Sequence, residues 1–183
     1  CVMNGGSYQF EQLGARESEL RRLREQAERG WAIERGLVER AGLSGGMDVL
    51  DLACGPGFIT RKIARAVSPG AVHGVDIDEQ LLEVARSGGS DRDERVTFER
   101  GDVYAYETDS RFDFVYARFL FQHLADPVRA LAQTRGLLRP GGRMCVLDVD
   151  DSWLTFAPGR ELFERFTERA ARGQQARGGG RFV

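Results

Sequence analysis

The residues of this chain whose types and spacing bear on chemistry begin with Asp51. It sits inside an apolar run, Val49-Leu50-Asp51-Leu52-Ala53, that breaks into Gly55-Pro56-Gly57. Glycine lets backbone come close to a ligand and allows positive φ at a turn. A helical pattern follows at once, with Ile59, Ile63 and Val67 on one face. The start of such a helix presents unsatisfied N–H groups. Together these features form a ligand cradle at the carboxyl end of a first strand in an open α/β sheet. Two more acids close strand-like runs in the same way, Asp76 after Val72-His73-Gly74-Val75 and Asp102 after Glu99-Arg100-Gly101.

The cradle's own residues narrow its ligand. A dinucleotide fingerprint needs a third glycine where this chain has Thr60. Asp51 would also face a bound pyrophosphate as a like charge in a partly dry site. The same acid suits a ligand with positive charge and no phosphate. S-adenosylmethionine is such a ligand, carrying an ammonium, a sulfonium and a carboxylate on a nucleoside.

The elements that must position these residues follow from periodicity. A helix is expected from Glu17, with Leu20, Leu23 and Ala27 on one stripe, and Gly30 is expected to interrupt it. A second helical stretch then carries Ile33, Leu37, Val38 and Ala41 and ends at Gly42 or Gly45-Gly46. Strands are expected at 48–52, 71–75, 95–99, 112–116 and 143–149, the last continuous enough to be buried on both faces. A helix is expected at 79–86. Another starts at Asp126-Pro127, where proline suits the first helical position. It carries Val128, Leu131 and Leu138 and stops before Pro140-Gly141-Gly142. A last helix, 160–172, is expected to bury Leu162, Phe163, Phe166 and Ala170. Strand–helix alternation of this kind specifies a doubly wound, mainly parallel α/β sheet. Residues 1–46 read as an N-terminal helical lid and residues 47–183 as the ligand-binding domain.

Composition supports one ordinary globular domain. The chain has 183 residues, 42% hydrophobic and 30% charged, enough to bury a substantial core. A net charge of −2 argues against a protein built to coat nucleic acid. The arginine clusters at 16–29 and 160–181 read as solvated faces. No apolar run approaches the roughly 20 residues of a membrane helix. The first residues have neither a basic start nor an apolar core. Cys1, Cys54 and Cys145 are too far apart for a metal site or a disulfide framework, so a cytoplasmic setting is expected.

The chain resembles the class I S-adenosylmethionine-dependent methyltransferases, in particular the small-molecule type related to methyltransferase types 11 and 25. The likeness runs from about Tyr8 to Val149 and includes the core motif Leu50-Asp51-Leu52-Ala53-Cys54-Gly55-Pro56-Gly57. Val72-His73-Gly74-Val75-Asp76-Ile77-Asp78 resembles the family's second strand, whose terminal acid holds the ribose hydroxyls. Two hydroxyls on one carboxylate make charge-assisted bonds, which requires an acid there. Glu99-Arg100-Gly101-Asp102-Val103 resembles the adenine segment, with Asp102 accepting from the exocyclic amine and the Val103 amide donating to the ring. The segment from Val115 to Pro127 resembles the one whose backbone carbonyls face the methionine ammonium. Leu137-Leu138-Arg139-Pro140-Gly141-Gly142-Arg143 resembles the family's structural helix-to-strand turn.

The resemblance implies S-adenosyl-L-methionine as cofactor, a Rossmann-like sheet and no metal. It implies cofactor contacts from Tyr8, Asp51, Ala53, Gly55, Gly57, Asp76, Ile77, Asp102, Val103 and Arg118. Some alternatives stay open. Tyr8 could cover the methionine end with the Gln26-bearing helix, or anchor the terminus. Arg118 could pair with the cofactor carboxylate or cap a strand. His123 is a weak candidate for a base on an acceptor hydroxyl, against a histidine satisfied by backbone. The family's last two strands are not found before Val183, and Cys1 looks unlike a native start, so a fragment of a longer protein is expected. A partner covering the fifth strand is the other reading.

The implied reaction is in-line displacement at the sulfonium methyl, where alignment alone can account for about 7–11 kcal/mol of barrier. A positioned base would add about 10²–10⁴-fold for a hydroxyl acceptor. No Asn-Pro-Pro-Tyr or Asp-Pro-Pro-Tyr follows the fourth strand, so a small-molecule substrate is expected, with no nucleic acid or membrane partner. A homodimer is left open. Two other functions compete: a non-catalytic S-adenosylmethionine-binding subunit, and a nicotinamide-dependent reductase, against which Asp51 and Thr60 count.

Overall fold

The computed structural model describes residues 16–88, 94–149 and 161–176. Five parallel strands form one sheet: β1 (Val49–Leu52), β2 (Val72–Asp76), β3 (Val96–Arg100), β4 (Phe112–Arg118) and β5 (Leu138–Leu147). Their order is β3-β2-β1-β4-β5. The winding reverses between β1 and β4, and open α/β sheets bind ligands at the carboxyl ends of the strands beside such a reversal. Asp51 and Thr60 lie on the strand and helix that meet there.

Two cores lie on opposite faces of the sheet. One packs Val49, Phe114 and Tyr116 against Ala27 and Val38 of α1 (Arg16–Ala41) and Ile63 and Val67 of α2 (Phe58–Val67). The other gathers Leu50, Val75, Val115, Phe121 and Ala130 beneath α4 (Pro127–Arg135). Helix α3 (Glu79–Ser87) starts at Asp78, whose side chain accepts from the amides of Gln80 and Leu81. Asp126 caps α4 in the same manner, with Pro127 opening the first turn as expected.

Several boundaries differ from the sequence expectation. Helix α1 runs unbroken through Gly30. A glycine costs a helix only about 0.5–1 kcal/mol against alanine, and tertiary packing exceeds that. Gly30 has a specific reason to be there: a Cβ would stand 2.5 Å from Glu34 Oε1 and 2.8 Å from Arg118 Nη2. Of the expected apolar positions on this helix, Val38 is buried but Ile33 and Leu37 are exposed.

Helix α4 ends at Arg135 rather than running through Leu138, with Gly136 at the cap position. Leu138 instead opens β5, and Val128 and Leu131 face outward. The pairing of β4 with β5 shifts register between Phe112↔Leu138 and Phe114↔Arg143, so Pro140-Gly141-Gly142 forms an irregular stretch. Proline is tolerated there because β5 ends the sheet order and Pro140 lacks an N–H to donate. Being at that position, β5 is half-buried to exposed along its length, not buried on both faces. Helix α5 (Glu161–Gln175) exposes Phe166 and half-buries Ala170; the side chains of Leu162 and Phe163 lie outside the described residues. Among the described residues no helix is long and apolar enough to cross a membrane.

Candidate functional site

Asp51 sits mid-sheet, 2% exposed, and its carboxylate accepts from Thr60 Oγ1 at 2.6 Å. Thr60, which breaks the dinucleotide fingerprint, therefore supplies the hydroxyl that steadies the acid. Burial pushes the Asp51 carboxyl up to about 7. The Thr60 bond and the Arg118 charge oppose this shift, and the neighbouring Asp76 adds to it. A buried acid held mainly by a neutral hydroxyl is arranged for a cation to arrive.

The turn after β1 bends through left-handed backbone. Ala53 has φ 62°, Gly55 54° and Gly57 72°. At Gly57 a side chain would strike Phe98, whose ring lies 2.6 Å from the Cβ position. At Gly55 the same test meets nothing within 4 Å, so that face of the turn is open. Ala53 has no glycine's licence for this conformation, and Phe119, at the end of β4, shares it with φ 54°. Backbone strain of this kind gathers where a site is held in one geometry. Gly57 is also the cap of α2 and brings no side-chain bond to it, so the first-turn amides carry no side-chain cap.

Asp76 fastens this turn from the second strand. Its Oδ2 accepts from the Gly55 amide at 2.7 Å and its Oδ1 from the Asp78 amide at 2.9 Å. Burial raises the Asp76 carboxyl, while the amides of Asp78 and Gly55 oppose that. Each oxygen keeps a lone pair for a hydroxyl donor. Beside it, Ile77 is an exposed apolar side chain, 51% accessible.

The third strand's acid also has work within the chain. Asp102 Oδ1 accepts from the Tyr104 amide at 2.9 Å, and Val103 packs half-buried against the core beneath α4. His123 ends a short 3₁₀ turn, Phe121–His123, and its amide donates to Leu120 O at 2.9 Å. Tyr8 lies outside the described residues. Arg118 holds Glu34 in a two-pronged pair, Nε to Oε2 at 2.8 Å and Nη2 to Oε1 at 2.7 Å. Its guanidinium also lies 4.1 Å over the Phe119 ring. The sequence left Arg118 between a cofactor carboxylate and a strand cap; it is drawn to α1 instead.

Sequence reasoning missed Glu34. The signal was a Glu on the stripe that holds Ala27 and Val38, one turn after an unexplained Gly30. A shallow groove lined by Tyr106, Glu107, Arg111, Gln133 and Leu137 lies elsewhere, and none of the candidate residues lines it.

Residues 49–142 match the family described as methyltransferase domain, which covers just over half the chain. The chain belongs to the class I S-adenosylmethionine-dependent methyltransferases. A curated relative from Bdellovibrio bacteriovorus, a ubiquinone/menaquinone biosynthesis C-methyltransferase UbiE, is 34% identical over 113 residues, 61% of this chain and 48% of the relative. An uncharacterised 37.1 kDa transposon protein of Streptomyces fradiae is 38% identical over 125 residues, 67% of this chain and 36% of that protein. Among solved structures, phosphoethanolamine N-methyltransferase 2 of Haemonchus contortus, in complex with S-adenosyl-L-methionine, aligns at TM-score 0.65 and 26% identity, over 84% of this chain and 34% of that one. The chain thus spans less than half the length of these relatives.

The residues present fit the family's cofactor. A methyltransferase of this class must hold a cationic amino-acid end and a nucleoside. Here a buried acid lacks a fully committed cation, an open turn face lies beside it, and a second acid keeps acceptor capacity at the next strand end.

Proposed function

We propose that this protein transfers a methyl group from S-adenosyl-L-methionine to a small-molecule acceptor. The observation that carries the reading is Asp51, a buried carboxylate whose hydrogen-bond partner is the Thr60 hydroxyl rather than a cation. When bound, the cofactor would supply a sulfonium methyl that passes to the acceptor, with the neutral thioether S-adenosylhomocysteine as leaving group. Every other contribution comes from the chain. Asp51 receives the cationic methionine end, and the uncapped first turn of α2 suits its carboxylate. Asp76 accepts from the ribose hydroxyls and Ile77 offers an apolar edge to the base. Asp102 and Val103 take the adenine rim, Asp102 with the oxygen that Tyr104 leaves free. Ala53, Gly55 and Gly57 let the backbone approach.

Two likenesses support a small acceptor. One relative's name specifies a ubiquinone/menaquinone biosynthesis C-methyltransferase and one neighbour's a phosphoethanolamine N-methyltransferase, which supports a small acceptor and leaves the accepting atom open. His123 stands as the candidate base for a hydroxyl acceptor, half-buried on the turn after β4. Arg118 is left out of the ligand set because Glu34 takes its fork.

The test is calorimetric titration of the full-length protein with S-adenosylhomocysteine, beside a nicotinamide dinucleotide. Binding of the first and not the second is expected. Binding of the nicotinamide compound alone would overturn the reading. Transfer of labelled methyl to quinol, phenol and amine panels then separates an enzyme from a cofactor-binding subunit.

A further inference from the structure

Asp51 and Tyr116 are register partners on neighbouring strands, and Arg118 lies two residues further along the same face of β4. Strand spacing and rise put Arg118 about 8 Å away on the diagonal, within reach of a guanidinium. Left alone, that arginine would be the natural counterion for Asp51. Helix α1 prevents it. Glu34, 7% exposed, takes both Nε and Nη2. The Tyr116 hydroxyl donates to the same carboxylate at 3.4 Å, and Gly30 clears the space above the pair. A buried ion pair is weak evidence for stability, because desolvation offsets most of its attraction. The arrangement asks for another reason.

We propose that Glu34 is a positioning residue: by neutralising Arg118 it keeps Asp51 without a counterion and so reserves it for the cationic methionine end of the cofactor. The inference rests on the cofactor reading above. It makes α1 part of the site through charge. The groups facing Asp51 are Thr60 of α2, Asp76 of β2, Tyr116 and Arg118 of β4, and Cys54 in the turn, with Glu34 beyond Arg118. Without the Glu34 charge, Arg118 swings toward Asp51, and the ligand's ammonium must displace a guanidinium.

The experiment measures S-adenosylhomocysteine affinity of the full-length protein across pH for wild type, Glu34→Gln, Glu34→Asp and Glu34→Gln/Arg118→Met, with thermal denaturation of each. Glu34→Gln should bind about tenfold or more weakly. Glu34→Asp, which keeps the charge, should stay near wild type. The double variant should recover to within about threefold, since removing both buried charges restores the unpaired Asp51. Wild-type affinity should climb as pH rises through neutrality, and Glu34→Gln should flatten that climb because Arg118 keeps Asp51 ionised.

A merely structural Glu34 would leave the pH profile in place and make the double variant as poor as the single. That result, or wild-type affinity in Glu34→Gln, overturns the proposal. If Glu34→Gln does not fold, the double variant decides alone: near-wild-type binding supports the proposal, and lost binding overturns it. Failure of wild type to bind would instead fell the cofactor reading.

Discussion

Each end of this sheet places one arginine between two acids, and the two ends use the motif in opposite ways. At the amino end, Arg139 bonds Asp48 at 2.8 Å and Asp113 at 2.5 Å, and Asp113 also accepts from the Asp48 amide. Both acids share the cation. The Arg139 bonds and the Asp48 amide hold the Asp113 carboxyl below its usual range. At the carboxyl end, Glu34 takes the Arg118 fork, and Asp51 keeps only a weaker, longer-range share of that charge. Its carboxyl is pushed up. The satisfied trio is open to solvent, with side chains 31–44% exposed; the unsatisfied one is sealed, with Glu34 and Arg118 at 9% and 13%. The same three charges make a clasp where all are paired and, on the reading proposed above, a receptor where one is left out.

The largest effect should come from removing the acid that is left out. Asp51→Asn should weaken S-adenosylhomocysteine binding by about 30-fold or more, the cost of losing a buried charge partner. Asp113→Asn should leave affinity within about twofold. Titration of both variants beside wild type checks the contrast, and equal losses would mean that the two trios are not different in kind.

The two ends should also answer pH with opposite signs. Asp51 titrates near 7 when folded against 3.8 as its ordinary value. Between those values the unfolded chain has released a proton that the folded chain still binds, so this acid's contribution to stability falls as pH rises from about 4 to about 7 and is level above. The difference across that window should amount to a few kcal/mol. Asp113 runs the other way: its contribution is present above about 4 and is lost as pH falls below that. Urea denaturation of wild type and Asp51→Asn from pH 4.5 to 8 checks this. The gap between the two curves should change with pH and flatten beyond neutrality; a constant gap would refute the shift.

The receptor trio shows what could be read in advance. Asp51, the glycine turn and Asp76 were legible because strand ends, turn glycines and the helix after them are local features with fixed chemistry. The sheet followed from the alternation of strands and helices, and its class was as expected. The Glu34–Arg118 pair was not legible, because its partners lie 84 residues apart in the chain. No periodicity reports such a contact. Gly30 was read as a breaker for the same reason: its purpose is the space it leaves for the Glu34–Arg118 pair, whose arginine is far away in the chain. The border between α4 and β5 failed differently. The apolar spacing of Leu131 and Leu138 carried the expected helix past Gly136, where the structure ends it. Val128 and Leu131 looked like a buried face and are exposed.

The smallest effect should fall on the clasp. Arg139→Met removes two ion pairs that are each more than a third exposed at the arginine, where solvent and salt already screen the attraction. Such solvent-exposed pairs contribute little, and the methionine keeps much of the arginine's apolar stem. Stability should therefore drop only slightly in low salt and less at high salt, with cofactor affinity unchanged. Thermal denaturation at two salt concentrations measures it. A larger loss that salt does not relieve would assign the clasp a sealed role like that of Glu34 and Arg118. The amides of Asp48 and Ala71 argue against that, since they donate to the same two carboxylates and would hold them in place without the arginine.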